Sequence, residues 1–300
     1  MLAGMSTILV GVDFSPESDT AIAHAMGLAR RLDVSVTLAL STFVPESPEG
    51  LSPSLLASYA KYAADLKARL ADERAKLAAV HQRLQGQGVE VSQVVLDGRP
   101  EDTIPNAAKD LGAAVVVVGT HGRTGFRRLA MGSVAEKIVR HEDHPVLVAR
   151  GEAPPGGYRH IVVGLDFSPP SRKALQAAKT YLAPGGKIDL VHCWQLPMWS
   201  YASGAPLLGD NVAQFQAELL GSIRETGEKW LAEVGPIDGT IAFHSLERAP
   251  AAGLDFWATE NKADLIVVGS HGHTGLRRWL IGSVAEAAVR HAPCSVVVVH

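Results

Sequence analysis

Two glycine-rich stretches, one in each half of the chain, have residue types and spacing that suit the binding of an anionic ligand. They run over residues 119–136 and 269–286, so each glycine and the serine recur 150 positions later. Glycine lets a backbone turn sharply and lets a ligand approach closely. The serine opens a helical pattern, and the first turn of a helix has unpartnered N–H groups and a dipole that favours an anion. The stretches therefore suit a phosphate group. Their shared residues are Gly119, Gly122, Gly125, Gly132 and Ser133 in the first copy and Gly269, Gly272, Gly275, Gly282 and Ser283 in the second.

The same residues also allow a purely structural explanation. Ser133-Val-Ala-Glu136 and Ser283-Val-Ala-Glu286 match the capping box, in which serine and glutamate satisfy free backbone N–H groups without any ligand. The loop is neither a Walker A loop, because no Gly-Lys-Ser/Thr is present, nor the G-x-G-x-x-G dinucleotide fingerprint. For one loop in isolation, phosphate binding and structural capping are both open.

Each loop is flanked by the elements of a parallel α/β sheet. The apolar runs Val115–Val118 and Leu265–Val268 precede the loops and predict buried strands. Strand patterns alternate with helical patterns through both halves, which predicts a parallel sheet with flanking helices. One helix is predicted to begin at Ser15-Pro16, with serine as the N-cap and proline at the first helical position. A later helix is predicted over Thr103–Leu111, with Pro105 near its start, and the second strand of the second half over Lys187–Cys193.

Length and composition predict a globular protein of two domains. The chain has 300 residues, of which 47% are hydrophobic and 20% charged, and a formal net charge of −3. This charge gives no reason to expect nucleic acid or a membrane surface as a partner. The cysteines, Cys193 and Cys294, suit a reducing cytosol better than a disulfide framework. The chain starts without the pattern of a secretory signal and has no apolar run of membrane-spanning length, so we expect a cytoplasmic protein.

The motifs together resemble those of the universal stress protein family. Gly-x-x-Gly, nine residues and then Gly-Ser is the ATP-binding signature of that family, and it occurs twice. Each half also begins with a strand that ends in Gly-x-Asp-Phe-Ser-Pro, at residues 11–16 and 164–169. The resemblance covers nearly the whole chain as two tandem copies. It implies two Rossmann-like domains of the adenine-nucleotide α-hydrolase type at residues 1–150 and 158–300, with a linker at residues 151–157.

The resemblance also implies a topology and a mode of assembly. A five-stranded parallel sheet of order 3-2-1-4-5 in each domain would place strands one and four side by side at a topological switch point, where ligands bind. Family homodimers join through strand five. We therefore expect Val146–Ala149 to pair with Ser295–Val299 within the chain as a pseudo-dimer, and a further homodimer is open.

The ligand that the resemblance implies is ATP, with Mg²⁺ as a further possibility. Asp13 and Asp166 would accept hydrogen bonds from the ribose hydroxyls or the adenine amine, whereas their structural alternative is a helix cap or a turn. The backbone at Ser41 and Cys193 would face adenine. The nucleotide-binding residues that the resemblance implies are Val12, Asp13, Ser41, Val118, Gly119, Gly122, Arg123, Gly132, Ser133 and Val134 in the first half, and Leu165, Asp166, Cys193, Val268, Gly269, Gly272, His273, Gly282, Ser283 and Val284 in the second.

Histidines in and after the loops invite a metal interpretation, which we do not favour. His271 and His273 in the second loop, and His141 and His144 after the first, have no cysteines nearby and no matching pairs in the other copy. His121 and His271 occupy a position that is commonly histidine in the family. We interpret both as residues that shape the loop, and we expect no metal ligands.

The two halves differ near the expected crevices. Gly98 of the first half aligns with Arg248, which could either reach the phosphates or narrow the second site. Trp194 and Trp199, at an insertion after the second strand of the second half, could narrow it further or cover apolar surface. We therefore expect the first site to bind ATP better.

The function implied is that of a nucleotide-dependent regulatory or stress-response module. We expect no catalytic residue, because the motif offers no P-loop lysine, no evident general base and no paired carboxylates for two metals. A slow ATPase or phosphotransferase, and a scaffold that binds no nucleotide, are the alternatives.

Overall fold

A computed structural model describes residues 7–44, 52–121, 131–195, 209–272 and 281–300. The chain forms two compact units, Met1–Gly156 and Gly157–His300. Each unit is a parallel sheet with flanking helices, so the predicted fold class is confirmed. The pairing expected between Val146–Ala149 and Ser295–Val299 stays a prediction, as do the exact limits of the linker.

The first unit alternates strands and helices along the chain. Its elements are β1 (Thr7–Gly11), α1 (Pro16–Leu32), β2 (Ser35–Thr42), α2 (Pro53–Leu84), β3 (Val91–Asp97), α3 (Pro100–Leu111), β4 (Ala113–Gly119), α4 (Ser133–His141) and β5 (Val146–Ala149). The strands lie in the order β3-β2-β1-β4-β5, and their pairings are parallel. The carboxyl ends of β1 and β4 are therefore neighbours.

The second unit repeats this arrangement. Its elements are β6 (Tyr158–Gly164), α5 (Pro169–Tyr181), β7 (Leu182–Trp194), α6 (Gly209–Glu233), β8 (Gly239–Glu247), α7 (Pro250–Glu260), β9 (Leu265–Gly269), α8 (Ser283–His291) and β10 (Ser295–Val299). The order is β10-β9-β6-β7-β8, again with parallel pairings. Here the carboxyl ends of β6 and β9 are neighbours.

The central strands form the core of each unit. Residues Val115–Val117 of β4 and Ile161–Val163 of β6 are completely buried. Continuous β-branched runs of this kind are typical of parallel strands with helices over both faces. No helix within the described ranges is long and apolar enough to span a membrane.

Two element boundaries differ from the sequence-based prediction. Helix α3 begins at Pro100 rather than at Thr103, because proline at the first helical position has no N–H to satisfy there. Pro105 consequently lies inside the helix rather than near its start. Strand β7 begins at Leu182, five residues before the predicted Lys187, and a register shift in its pairing with β6 accommodates the extra residues.

Candidate functional site

The turn between β1 and α1 is built on Asp13. Its Oδ1 accepts hydrogen bonds from the backbone N–H of Ser15 at 3.0 Å and from the Ser15 hydroxyl at 2.6 Å. Ser15 in turn caps α1, because its Oγ accepts from the N–H of Ser18 at 3.1 Å. Phe14 between them has a φ of 63°, in the left-handed region. The turn role that the sequence allowed for Asp13 is therefore present.

Asp166 has the same role in the second unit and also faces the glycine-rich loop. Its Oδ1 accepts from the Ser168 N–H at 3.0 Å and from the hydroxyls of Ser168 and Ser171. Its Oδ2 points toward Gly272, where an added Cβ would lie only 2.6 Å away. One oxygen of this carboxylate thus holds the turn, and the other faces the loop.

Gly119 and Gly269, at the ends of β4 and β9, are needed for packing within the protein. A Cβ at Gly119 would lie 2.8 Å from the carbonyl oxygen of Glu17, and one at Gly269 would lie 2.7 Å from Cβ of Pro170. Each glycine lets the strand end lie against the first turn of the first helix of its unit, α1 or α5. Close approach of a ligand is therefore not the only reason for glycine at these positions.

Backbone hydrogen bonds join the two ends of each glycine-rich loop. The N–H of Gly132 donates to the carbonyl of Thr120 at 2.8 Å, and the N–H of Gly282 donates to the carbonyl of Ser270 at 2.7 Å. Each bond holds the start of the following helix, α4 or α8, beside the end of the preceding strand. The first helical turn therefore faces the crevice between the central strands.

The capping box, one of the two explanations left open for these serines, does not match the two helix starts. Gly132 and Gly282 are the N-caps, with extended backbone and no side-chain cap hydrogen bond, and Ser133 and Ser283 are the first helical residues. The serines are thus one position too late to cap the helices. The N–H groups of these first turns lack the side-chain cap that Ser15 gives to α1. The glutamates instead form ion pairs one turn along the helix, Glu136 with Arg140 at 3.0 Å and Glu286 with Arg290 at 2.9 Å.

A cavity of about 240 Å³ lies at the carboxyl ends of β6 and β9 in the second unit. Asp166, His271 and the first turn of α8 meet in its wall. The structure brings together in this wall most of the residues expected to bind nucleotide in the second half: Leu165, Asp166, Cys193, Val268, Gly269, Gly272, Gly282, Ser283 and Val284. His273 lies outside the described residues.

The residues expected in the first half lie at the corresponding strand ends and helix start. Those within the described ranges are Val12, Asp13, Ser41, Val118, Gly119, Gly132, Ser133 and Val134. The Ser41 hydroxyl is engaged by the hydroxyl of Thr103 on α3 at 2.8 Å, which leaves the backbone of Ser41 as the part expected to face a ligand. Gly122 and Arg123 lie outside the described residues.

Cys193 lies in the cavity wall as a protonated thiol. Burial raises the pKa of its thiol to about 11, although the nearby charge of Arg248 opposes this shift. The thiolate is the reactive form of cysteine, so a pKa this high makes Cys193 a poor nucleophile at neutral pH. The side chain thus supplies apolar surface in the cavity wall.

Arg248 is not among the residues that line the cavity, and the two roles that the sequence suggested for it stay predictions. Its guanidinium lies over the ring of Phe256 on α7, with Cζ 4.0 Å from the ring centroid. This cation–π contact holds the side chain on an exposed part of α7. Trp194 packs against Ile223 of α6. It therefore covers apolar surface, which is one of the two roles that the sequence suggested for it. Trp199 lies outside the described residues.

Sequence reasoning missed His192, which supports the cavity from β7. Its Nδ1–H donates to the carbonyl of Leu165, a cavity residue, at 2.8 Å. Burial lowers the pKa of His192, so the ring is neutral with its proton on Nδ1. The corresponding residue on β2 is Leu40, judged by strand register, and it cannot make this bond. The sequence pattern gave no signal for the interaction.

The loop histidines contact the hydroxyl residue that precedes each of them. Nδ1 of His121 lies 3.1 Å from Oγ1 of Thr120, and Nδ1 of His271 lies 3.0 Å from Oγ of Ser270. These contacts fit the loop-shaping interpretation. Within the part of the chain that the structure describes, no cluster of three or more histidine, cysteine or acidic side chains could hold a metal ion.

Comparison with known proteins assigns both halves of the chain to the same family. The family described as "Universal stress protein family" matches residues 5–150 and again residues 157–300. A universal stress protein of Mycolicibacterium smegmatis is 28% identical over 298 residues, which cover 97% of this chain and 96% of the relative. A universal stress protein of Mycobacterium tuberculosis strain H37Rv is 28% identical over 316 residues, with 97% and 94% covered.

A solved structure shows the same fold over the whole chain. The crystal structure of a universal stress protein from Archaeoglobus fulgidus superposes with a TM-score of 0.66 at 18% identity. The match covers 98% of this chain and 97% of the other. At this level of identity the likeness concerns the fold alone.

Proposed function

The chain belongs to the universal stress protein family, and from that premise we propose that it is an ATP-binding regulatory module with a nucleotide site in each unit. The observation that carries the proposal is the cavity at the carboxyl ends of β6 and β9. In its wall a carboxylate, Asp166, and the uncapped start of α8 meet. A carboxylate suits hydroxyl donors and a helix N-terminus suits an anion, so the two together suit a sugar phosphate.

Each part of ATP has a counterpart in the second site. Oδ2 of Asp166, which faces Gly272, is placed to accept from a ribose hydroxyl. The triphosphate would lie along the exposed first turn of α8, where Ser283 opens the helix. Cys193 and Val268 supply apolar wall for adenine. Mg²⁺, where present, would be held mainly by phosphate oxygens and water, as is usual for this ion.

The first unit has the same parts in the same places. Asp13 forms the turn after β1, and α4 begins at Ser133 after the uncapped Gly132. Chain order and strand register therefore bring a carboxylate and a helix start without a side-chain cap to neighbouring strand ends. This equivalence supports one site in each unit.

The site chemistry supports binding rather than rapid hydrolysis. Oδ1 of Asp166 already accepts from the N–H of Ser168 and from two serine hydroxyls, so this oxygen holds the turn rather than serving as a general base. Cys193 is a protonated thiol at neutral pH. A bound nucleotide would thus act by stabilising one conformation or one surface of the protein, as a regulatory ligand does.

The proposal can be tested by placing a negative charge at the helix start. Ser133→Asp and Ser283→Asp put a carboxylate in the first turn, where it stabilises the helix through the macrodipole but repels a phosphate. Two unit charges about 4 Å apart near a protein surface repel by about 4 kcal/mol, which is more than a hundredfold in affinity. Ser133→Asn and Ser283→Asn are matched neutral controls of the same shape.

Titration calorimetry of nucleotide-stripped protein with ATP gives the readout. Wild type should bind ATP at two sites, and each aspartate variant should lose one of them, whereas the asparagine controls retain both. Thermal unfolding should show that the aspartate variants are at least as stable as wild type. The proposal fails if wild type binds no adenine nucleotide, or if the aspartate variants bind ATP as well as their controls.

A further inference from the structure

Each glycine-rich loop contains a histidine nitrogen whose hydrogen-bonding capacity is unused among the residues that the structure describes. Nε2 of His121 and Nε2 of His271 are both buried, and neither has a hydrogen-bond partner among the described residues. The other nitrogen of each ring contacts a hydroxyl group. Buried polar atoms are nearly always hydrogen-bonded, so the same omission in both units indicates a role for this atom.

The histidine of the second unit lies where the cavity meets the start of α8. His271 lines the cavity. A Cβ added at Gly282, the N-cap of α8, would lie 3.2 Å from the carbonyl oxygen of Ser270 and 3.5 Å from Cα of His271. The histidine backbone is therefore in direct contact with the N-cap, at the point where the helix favours an anion.

The chemistry of the ring matches an anionic oxygen. The Ser270 hydroxyl can rotate to donate to Nδ1, which keeps the ring proton on Nε2 and makes Nε2 a donor. The imidazolium form would also donate from Nε2. A phosphate oxygen only accepts hydrogen bonds, as does the carboxylate of Asp166, so Nε2–H suits a phosphate whereas Asp166 suits a hydroxyl donor.

We propose that Nε2–H of His121 and of His271 each donates a hydrogen bond to a phosphate oxygen of the bound nucleotide. This inference rests on the proposed function and adds a positioning residue to each site. The histidine holds the phosphate chain at the helix start, and the residue before it fixes the ring through its hydroxyl. The loop-shaping contact and the ligand contact then use opposite nitrogens of one ring.

Two substitutions separate these two contacts. His271→Asn retains a short polar group that can reach the Ser270 hydroxyl but has nothing at the position of Nε2. His271→Gln is longer and can place an amide N–H near that position. The same pair at His121 tests the first unit. The double asparagine and double glutamine variants of the full chain, stripped of nucleotide, are titrated with ATP, adenosine and inorganic tripolyphosphate.

The inference predicts a loss that is specific to phosphate. The double asparagine variant should bind ATP and tripolyphosphate about tenfold or more weakly, as expected for the loss of a charge-assisted hydrogen bond. Its affinity for adenosine should be unchanged, and the double glutamine variant should recover most of the lost affinity for ATP. A merely structural role would weaken adenosine and ATP binding alike.

The outcomes separate this inference from the proposed function. Unchanged ATP affinity in the double asparagine variant, or equal loss for ATP and adenosine, overturns the inference and leaves the nucleotide site in place. Histidine-dependent binding of tripolyphosphate without binding of adenosine or ATP overturns the proposed function and the nucleotide contact with it, because the histidines then hold an inorganic anion alone. Failure of the wild type to bind any of the three probes overturns both.

Discussion

The second unit contains a buried carboxylate whose removal should destabilise it strongly. Asp189 of β7 is completely buried. Its Oδ2 accepts from Nε2 of His160 at 2.8 Å, Nε1 of Trp257 at 3.0 Å and Nζ of Lys187 at 3.0 Å, and its Oδ1 accepts from Nε2 of His244 at 3.1 Å. The ring of His160 also places Nδ1 3.0 Å from the carbonyl oxygen of Asn261, so both of its nitrogens face acceptors.

We expect Asp189→Asn to lower the free energy of unfolding by about 3 kcal/mol. Removal of one partner from a buried ion pair costs about 3–5 kcal/mol, because the other charge remains buried. The lower end of the range applies because the Lys187 side chain is 43% exposed and can turn toward water. The asparagine amide also presents N–H groups to neighbours that are themselves donors.

The effect should depend on pH in a defined direction. Burial by itself raises the pKa of Asp189, but hydrogen bonds from His160, Trp257 and Lys187 outweigh burial and hold this pKa well below its usual range. The unfolded pKa is about 4. A carboxyl group whose pKa is lower in the folded state contributes fully to the stability of the protein at any pH above its unfolded pKa. This contribution is lost progressively as the pH falls below the unfolded pKa toward the folded pKa. The difference between wild type and variant should therefore shrink below about pH 4.

Urea unfolding at several pH values measures the loss of unfolding free energy and its dependence on pH. Hydrogen exchange shows whether the loss is confined to the second unit. The matched control is Thr37→Val, at the corresponding register position of β2. Thr37 shares neutral hydroxyl contacts with Thr7 at 2.8 Å and Ser92 at 2.9 Å, so this variant should lose only about 1–2 kcal/mol, with no acid dependence. A loss below about 1 kcal/mol for Asp189→Asn, or a loss that does not change with pH, would refute the reasoning.

Three smaller predictions concern the turns and the cavity wall. Gly119→Ala places a Cβ 2.8 Å from the Glu17 carbonyl and should lower stability by about 1–3 kcal/mol in urea unfolding; an unchanged midpoint contradicts the packing role. Ser168→Ala removes the cap of α5 and should lower stability by about 1 kcal/mol or more in thermal unfolding. An unchanged unfolding temperature would show that the cap contributes nothing. Cys193, with its pKa raised to about 11, should react with iodoacetamide at pH 8 far more slowly than a free thiol; equal rates would contradict its burial.

Local sequence signals were sufficient to predict several strands and helix starts, whereas the strand order and the residues expected at the site came from the family resemblance. Ser15-Pro16 begins α1 as predicted, because serine caps and proline at the first helical position both act within a single turn. The apolar runs before each glycine-rich loop form buried strands for a similar reason, since three or four consecutive β-branched residues suit a sheet covered on both faces. These features require no knowledge of distant residues.

Features that depend on tertiary contacts were not predictable from the same signals. Ser133 has the capping-box pattern, yet the bond from the Gly132 N–H to Thr120 fixes the helix start one residue earlier than the pattern requires. The partners of Asp189 lie on β6, β7, β8 and α7, and only strand register brings them together. The position of the Arg248 guanidinium likewise depends on where α7 places the Phe256 ring.

The most direct test of the nucleotide sites is a crystal structure of the full chain grown with a non-hydrolysable ATP analogue. The account predicts phosphate density at the first turn of α8, within hydrogen-bond distance of the backbone N–H groups at Ser283 and of Nε2 of His271. It also predicts the ribose beside Asp166, with an equivalent arrangement at Asp13 and Ser133. A nucleotide bound elsewhere, or no density in either unit at saturating analogue, would contradict the account.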